Sequence, residues 1–230
     1  MQEGNSIVTA GQKQIVIAID GPSGAGKSTL ARSLAQRLGF TFIDTGAMYR
    51  AIALWALRAG IDLDDLHRLE QLALAAHIEF DGASQGQTVL LNGEDVTAAI
   101  REPQVTDAAS KVAIAPGVRR AMREEQRRIA SANSVVMEGR DIGTVVFPAA
   151  QVKIFLDADP QVRAGRRARE TGADIGQVAR DITERDQRDR TRREAPLTQA
   201  PDAEYVDSTG LAPEQVEEAI LRIVRQRTSN

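Results

Sequence analysis

Five short apolar runs punctuate the chain: Ile15–Ile19, Thr41–Ile43, Val135–Met137, Val152–Leu156 and Tyr205–Val206. An unbroken run, rather than an alternating one, predicts a strand covered on both faces, as in a parallel sheet. Longer stretches with helical periodicity lie between most of them. Lys27–Leu38 is one, stopped by Gly39, and Ala47–Ala59 is another, closed by Gly60. Asp159-Pro160 reads as an N-cap and first-turn proline for a helix through Glu170. After Pro213, Val216, Ile220, Ile223 and Val224 fall on one stripe of a last helix. Strands alternating with helices imply a parallel sheet with helices on both faces.

One segment breaks the rhythm. His77–Val96 reads as short strands, with Leu91-Asn92-Gly93-Glu94 as a tight hairpin turn. The expected organisation is a flexible N-terminal extension over residues 1–14, a core from residues 15–62 and 102–230, and a small antiparallel insertion over residues 63–101.

Composition narrows the chemistry. The 230 residues are 42% hydrophobic and 27% charged, enough for one packed α/β domain. Aromatic residues are 3% and the net charge is −3, so neither a base-stacking platform nor a polyanion-coating surface is expected, and no nucleic-acid partner. The absence of cysteine excludes disulfides and thiolate metal sites, and two histidines cannot build a histidine cage. No run approaches the ~20 apolar residues of a membrane span, and the polar start does not resemble a signal peptide. A cytoplasmic protein with no membrane partner is expected.

Gly21-Pro22-Ser23-Gly24-Ala25-Gly26-Lys27-Ser28, followed by Thr29, matches the phosphate-binding pattern G-x-x-x-x-G-K-[ST]. The glycines let backbone N–H groups turn inward around phosphate oxygens. Lys27 would reach the β- and γ-phosphates of ATP, the Ser28 hydroxyl would ligate Mg²⁺, and the helix starting at Lys27 points its positive end at the same anion. A GTPase would need a base-reading Asn-Lys-x-Asp, which the chain lacks. Asp207-Ser-Thr-Gly210 fits the GTPase Asp-x-x-Gly pattern, but it follows the last strand, where a switch loop does not belong. A small P-loop kinase is the simplest reading.

A kinase acting on a phosphorylated acceptor needs no general base, because a monophosphate is mostly a dianion at neutral pH. It needs positioning and charge neutralisation, which arginine supplies with a planar, permanently charged fork. Ligands of open parallel sheets collect beyond the carboxyl ends of the strands. Asp44-Thr45-Gly46 with Tyr49-Arg50, and Gly139-Arg140-Asp141, both follow strands and should face the phosphate loop. Arg185, Asp189 and Arg192 share one face of a helical stretch.

At these residues the sequence resembles bacterial-type cytidylate kinases. The matching stretches are IDGPSGAGKST, DTGAMYR, AASKVA, GRDIGTVVFP, VKIFLDA and ERDQRDRTR, followed by APL. Glu138 stands where the family often has Asp. The resemblance implies transfer from ATP, with Mg²⁺, to CMP or dCMP. It also implies an α/β P-loop kinase core with a five-stranded parallel sheet flanked by helices, a small antiparallel insertion on the monophosphate side, and a helical lid at about residues 159–180. By motif match, Arg50, Arg140 and Arg192 would hold the acceptor phosphate, Lys27 working with them in catalysis. Arg185 and Asp189 would hold its sugar, Thr45 would join the substrate site, and Ser110, Arg119 and Asp141 would read cytosine. Arg163, Arg166 and Arg167 stay open as the lid arginine that meets ATP. A monomer is expected. The alternatives are another small-molecule P-loop kinase and a nucleotide-dependent binding module without acceptor turnover.

Overall fold

The computed structural model describes residues 14–81 and 87–228. The extension expected at residues 1–14 lies outside them apart from Gln14, as does the stretch 82–86 of the expected insertion. The chain opens with β1 (Val16–Asp20) and turns through the glycine-rich loop into α1 (Lys27–Leu38). Then come β2 (Thr41–Asp44), α2 (Thr45–Arg58) and α3 (Leu66–Leu74). The antiparallel strands β3 (Ile78–Asp81), β4 (Thr88–Leu91) and β5 (Glu94–Asp95) follow, then α4 (Pro103–Val112) and α5 (Pro116–Ala130). The chain returns to the main sheet with β6 (Val135–Gly139) and β7 (Val152–Asp157). A helix pair, α6 (Pro160–Thr171) and α7 (Ile175–Thr191), precedes β8 (Glu204–Asp207) and α8 (Pro213–Thr228).

The main sheet has five strands in the order β2-β6-β1-β7-β8, and every neighbouring pair is parallel. All five apolar runs are in it. Four of the five strands run one residue further at the carboxyl end than their apolar runs and end on aspartate, Asp20, Asp44, Asp157 and Asp207, while β6 runs two further, to Gly139. Those ends are polar because they open on the ligand crevice rather than on the core. Covering both faces explains the unbroken runs: Ile17, Ile19 and Val136 pack under α1 and α8, while Ala18, Val135 and Met137 pack under α2, α4 and α5.

Local chemistry sets the boundaries. α2 starts at Thr45, two residues earlier than its apolar pattern, because the Asp44 carboxylate accepts from Ala47 N–H at 3.0 Å and caps the turn. Asp159 caps α6 in the same way, accepting from Gln161 N–H at 2.8 Å. Asn92 and Gly93 carry φ of 52° and 83°, the left-handed pair of a two-residue hairpin joining β4 to β5. Ile223 is only partly buried, whereas Val216, Ile220 and Val224 are buried as their stripe predicts. The α6–α7 pair has its own small core of Ala164, Val178 and Ile182. Among the described residues, no helix is long and apolar enough to cross a membrane.

Gly21 is the tightest joint between the glycine-rich loop and the sheet. Its φ is +153°, and a Cβ there would lie 1.9 Å from the Leu156 carbonyl oxygen of β7. Gly21→Ala should therefore destabilise the chain by roughly 3 kcal/mol or more, measured by chemical denaturation.

Candidate active site

The glycine-rich loop leaves the central strand and ends at Gly26, which caps α1 with φ of 91° and no side-chain hydrogen bond. Lys27 is buried, and its ammonium donates to the Pro22 carbonyl at 2.6 Å, so it lies back across the loop. Burial, then the like charge of Arg140, pushes the Lys27 ammonium down to about 7. Glu138, at the end of β6, is pushed up to about 7 by burial and by Asp44. Its Oε1 is buried without a hydrogen-bond partner among the described residues, and the exposed Ser28 hydroxyl stands beside its side chain. Asp20 accepts from the N–H groups of Ile142 (2.8 Å) and Gly143 (2.7 Å), tying β1 to the turn after Asp141. Burial nevertheless pushes its carboxyl up to about 6. A second anion in reach of Lys27 would relieve this cluster by restoring full charge to the ammonium.

A cleft of about 160 Å³ opens beyond the carboxyl ends of β2 and β6. Every acceptor-side residue expected from the sequence lines it. α2 brings Thr45 and Arg50, α4 brings Ser110, and α5 brings Arg119. Arg140 and Asp141 follow β6, and Arg185 and Asp189 project from α7. Arg192 also lines the cleft, but not from the helix: α7 ends at Thr191, and Arg192 is its extended cap with ψ of 141°.

Six arginines (50, 119, 140, 185, 188 and 192) and two aspartates (141 and 189) line this cleft. Arg140 Nε donates to Asp189 at 2.8 Å, and Arg50 pairs with Asp44 at 2.9 Å. Arg185 has no hydrogen-bond or ion-pair partner among the described residues, and burial with the charge of Arg140 holds it below the ordinary arginine value. Arg192 is lowered by burial and by Arg119, and its Nη2 has no hydrogen bond. Cations crowded in this way favour a bound oxyanion.

At the inner end, Arg119 Nη2 donates to Asp141 Oδ2 at 2.6 Å, and the same guanidinium lies 5.8 Å from the Tyr49 ring centroid. Both members of the pair are buried. The Ser110 hydroxyl donates weakly to its own helix at Thr106 O, 3.5 Å away, which leaves its lone pairs free. Thr45 donates to the Glu138 carbonyl at 2.7 Å and holds β2 beside β6.

The three arginines of α6 separate clearly. Arg163 is buried, donating to Ala158 O, Ser23 O and Asp186 Oδ2, so it locks the helix pair onto the loop. Arg166 donates to Ser208 O at 2.7 Å and lines a second cavity beside Gly24 and Gly26. Arg167 pairs with Glu170 on the exposed surface.

Two residues matter here that the sequence reading missed. Asp186 is buried and accepts from Ser23 N–H of the loop at 3.2 Å as well as from Arg163. Ser208 is buried, with its hydroxyl 3.3 Å from Ala25 O and 3.0 Å from Asp157 O. The signal for Ser208 was the Asp207–Gly210 pattern, which is part of the phosphate loop's support rather than a switch. Asp186 had no local signal beyond lying between Arg185 and Asp189.

Comparison with known proteins agrees with this arrangement. The family model described as cytidylate kinase matches residues 17–226. A protein from Solibacter usitatus named cytidylate kinase is 62% identical over 226 residues, covering 95% of this chain and 96% of its own. One of the same name from Pelotomaculum thermopropionicum is 51% identical over 211 residues, covering 89% and 93%. Among solved structures, an uncharacterized protein from Eubacterium ventriosum superimposes with a TM-score of 0.53 at 13% identity, over 92% of this chain and 98% of that one, a likeness of fold.

Two outcomes follow from the buried carboxylates. Asp186→Asn leaves buried Arg163 with only the more distant Asp157 carboxylate, 3.6 Å away, as counter-charge and should cost on the order of 2 kcal/mol in chemical denaturation. Asp20 has a folded-state pKa of about 6 against an ordinary 3.8, so the folded chain keeps a proton that the unfolded chain has released. Its contribution to stability is whole below about 3.8 and is lost as pH rises through about 6. Relative to Asp20→Asn, the unsubstituted chain should therefore lose on the order of 2 kcal/mol between about pH 4 and pH 6.5. Urea denaturation across that range measures it.

Proposed function

The chain belongs to the cytidylate kinase family, and on that premise we propose that it transfers the γ-phosphoryl group of ATP to CMP or dCMP, releasing ADP and CDP or dCDP. The observation that carries this reading is the buried Arg119–Asp141 pair at 2.6 Å in the wall of an arginine-rich cleft. Cytosine presents an N4 amine donor beside N3 and O2 acceptors. Asp141 and the Ser110 lone pairs accept from the amine, while Arg119 donates to the acceptors. Uracil would turn its O4 towards Asp141, oxygen against oxygen.

The roles of the other residues follow from position. Backbone amides from Gly21 to Thr29 receive the triphosphate, and Lys27 exchanges the Pro22 carbonyl for phosphate oxygens. Arg50, Arg140 and Arg192 hold the acceptor phosphate, Arg185 and Asp189 the sugar, and Thr45 forms the floor between them. An acceptor oxygen forms the new bond to the γ-phosphorus while the bond to the β–γ bridging oxygen breaks, the two in line. Lys27 and the arginines stabilise the charge spread over the transferring group. The donor set at the loop fits Mg²⁺: the Ser28 hydroxyl and the unpartnered Glu138 oxygen are hard ligands suited to an ion that keeps most of its waters and arrives with the nucleotide. Ser28 would hold it, and when bound it neutralises phosphate charge. Residues of about 159–180 act as the lid that excludes water, and residues 63–101 cover the monophosphate side. On this reading the chain acts as a monomer in the cytoplasm, where both nucleotides are found.

A panel of monophosphates offered with ATP, read as ADP release, tests the assignment. CMP and dCMP should be the fastest acceptors, and faster turnover of AMP or shikimate would refute it. Lys27→Ala should reduce turnover by about 10²-fold or more. Asp141→Ala should narrow the preference for CMP over UMP by about tenfold or more in kcat/KM. An unchanged preference would place base reading elsewhere.

A further inference from the structure

The second cavity, about 740 Å³, meets the phosphate loop. Gly24, Gly26 and Thr29 line one end, and Leu30, Leu211 and Val216 supply apolar walls. On the reading above, it holds the nucleoside of the donor. Glu217 of α8 also lines it. This carboxylate is on the buried side of its helix, beside Val216, Ile220 and Leu221, and the residue is only 8% exposed.

A carboxylate in that position is costly unless something donates to it. Arg37 only partly does so. Its Nη1 approaches Glu217 Oε1 at 3.6 Å, beyond hydrogen-bond distance, while its short bond at 2.6 Å goes to Glu218. Glu217 Oε1 has no hydrogen-bond partner among the described residues. Arg37 lies ten residues along α1 from Lys27, about 15 Å at the rise of an α-helix. Glu217 therefore marks the far end of the cavity, where the base of a nucleotide anchored by its phosphates would lie.

We propose that Glu217 selects the donor base by accepting a hydrogen bond from the 6-amino group of adenine. Apolar walls accept any purine face, so they cannot discriminate between purines. A carboxylate facing position 6 can: adenine brings a donor there, while hypoxanthine and guanine bring a carbonyl oxygen. Rejecting the wrong purine by an unpaired buried acceptor is the stronger form of discrimination. Arg37 balances the charge of Glu217 without occupying its hydrogen-bonding capacity.

The test measures kcat and KM for ATP, ITP and GTP at saturating CMP, in the full chain and in the Glu217→Ile and Glu217→Gln variants. The unsubstituted chain should favour ATP over ITP in kcat/KM by about tenfold or more. Glu217→Ile should bring that ratio close to one, chiefly by raising KM for ATP, with KM for CMP unchanged and the melting temperature not lowered. Glu217→Gln keeps a carbonyl acceptor and should retain part of the preference, and it serves as the readout if the isoleucine variant does not fold. An ATP-to-ITP ratio unchanged in a folded Glu217→Ile, or in Glu217→Gln if only that variant folds, overturns the proposal. So does a preference of the unsubstituted chain for GTP over ATP. If CMP is not phosphorylated with any donor, the functional reading fails instead. Binding of ATP against ITP, measured by calorimetry in the same three proteins, then decides the role of Glu217 by the same ratio.

Discussion

The carboxylate of Asp186 holds the two halves of the site in one frame. It accepts from Ser23 N–H in the phosphate loop and from the Arg163 guanidinium in α6. Its neighbours on α7, Arg185 and Asp189, line the acceptor cleft. One helix therefore carries both the anchor to the donor loop and groups of the acceptor cleft. The placement of the cleft relative to the loop is set by that helix and the fit of its buried ion pair. Without Asp186, the arginines of α7 would still be present but no longer placed relative to the loop.

Around this frame the site is strained electrostatically rather than sterically. Lys27 is lowered, while Asp20 and Glu138 are raised, each by burial first. Arg185 and Arg192 are lowered on the other side of the cleft. Such an arrangement is uncomfortable as it stands and becomes comfortable when phosphate oxygens enter. That is the physical meaning of preorganisation: the protein carries the desolvation cost in its fold, so that little rearrangement is needed when charge moves between the ligands.

Much of this was legible in the chain. The continuous apolar runs placed all five strands of the main sheet, since only a strand covered on both faces reads that way. The ends of those strands were not legible from hydrophobicity, because Asp20, Asp44, Asp157 and Asp207 turn from core to crevice within one residue. Arg50 and Arg140 were legible because a residue just beyond a parallel strand has only one place to go. Ser110 and Arg119 carried no local signal and were found by resemblance to a family. Asp186, Ser208 and Glu217 were missed for one reason: each takes its meaning from a partner on another element. The bond from Ser23 to Asp186 spans 163 positions of sequence. No periodicity reports which side of a helix will meet a loop that far away.

The joint presence of the loop anchor and the cleft groups on α7 also bears on how relatives of this chain can vary in length. Each added residue turns everything after it by about 100° around the helix axis. An insertion between Asp186 and Asp189 would carry the acceptor groups out of phase with the anchor, and no side-chain change could restore both. The connection at Gly172 is different: a Cβ there would meet open space, and the residues on either side are exposed. Length drift in this family should therefore collect at the tip of the helix pair, while the segment from Asp186 to Arg192 keeps its count.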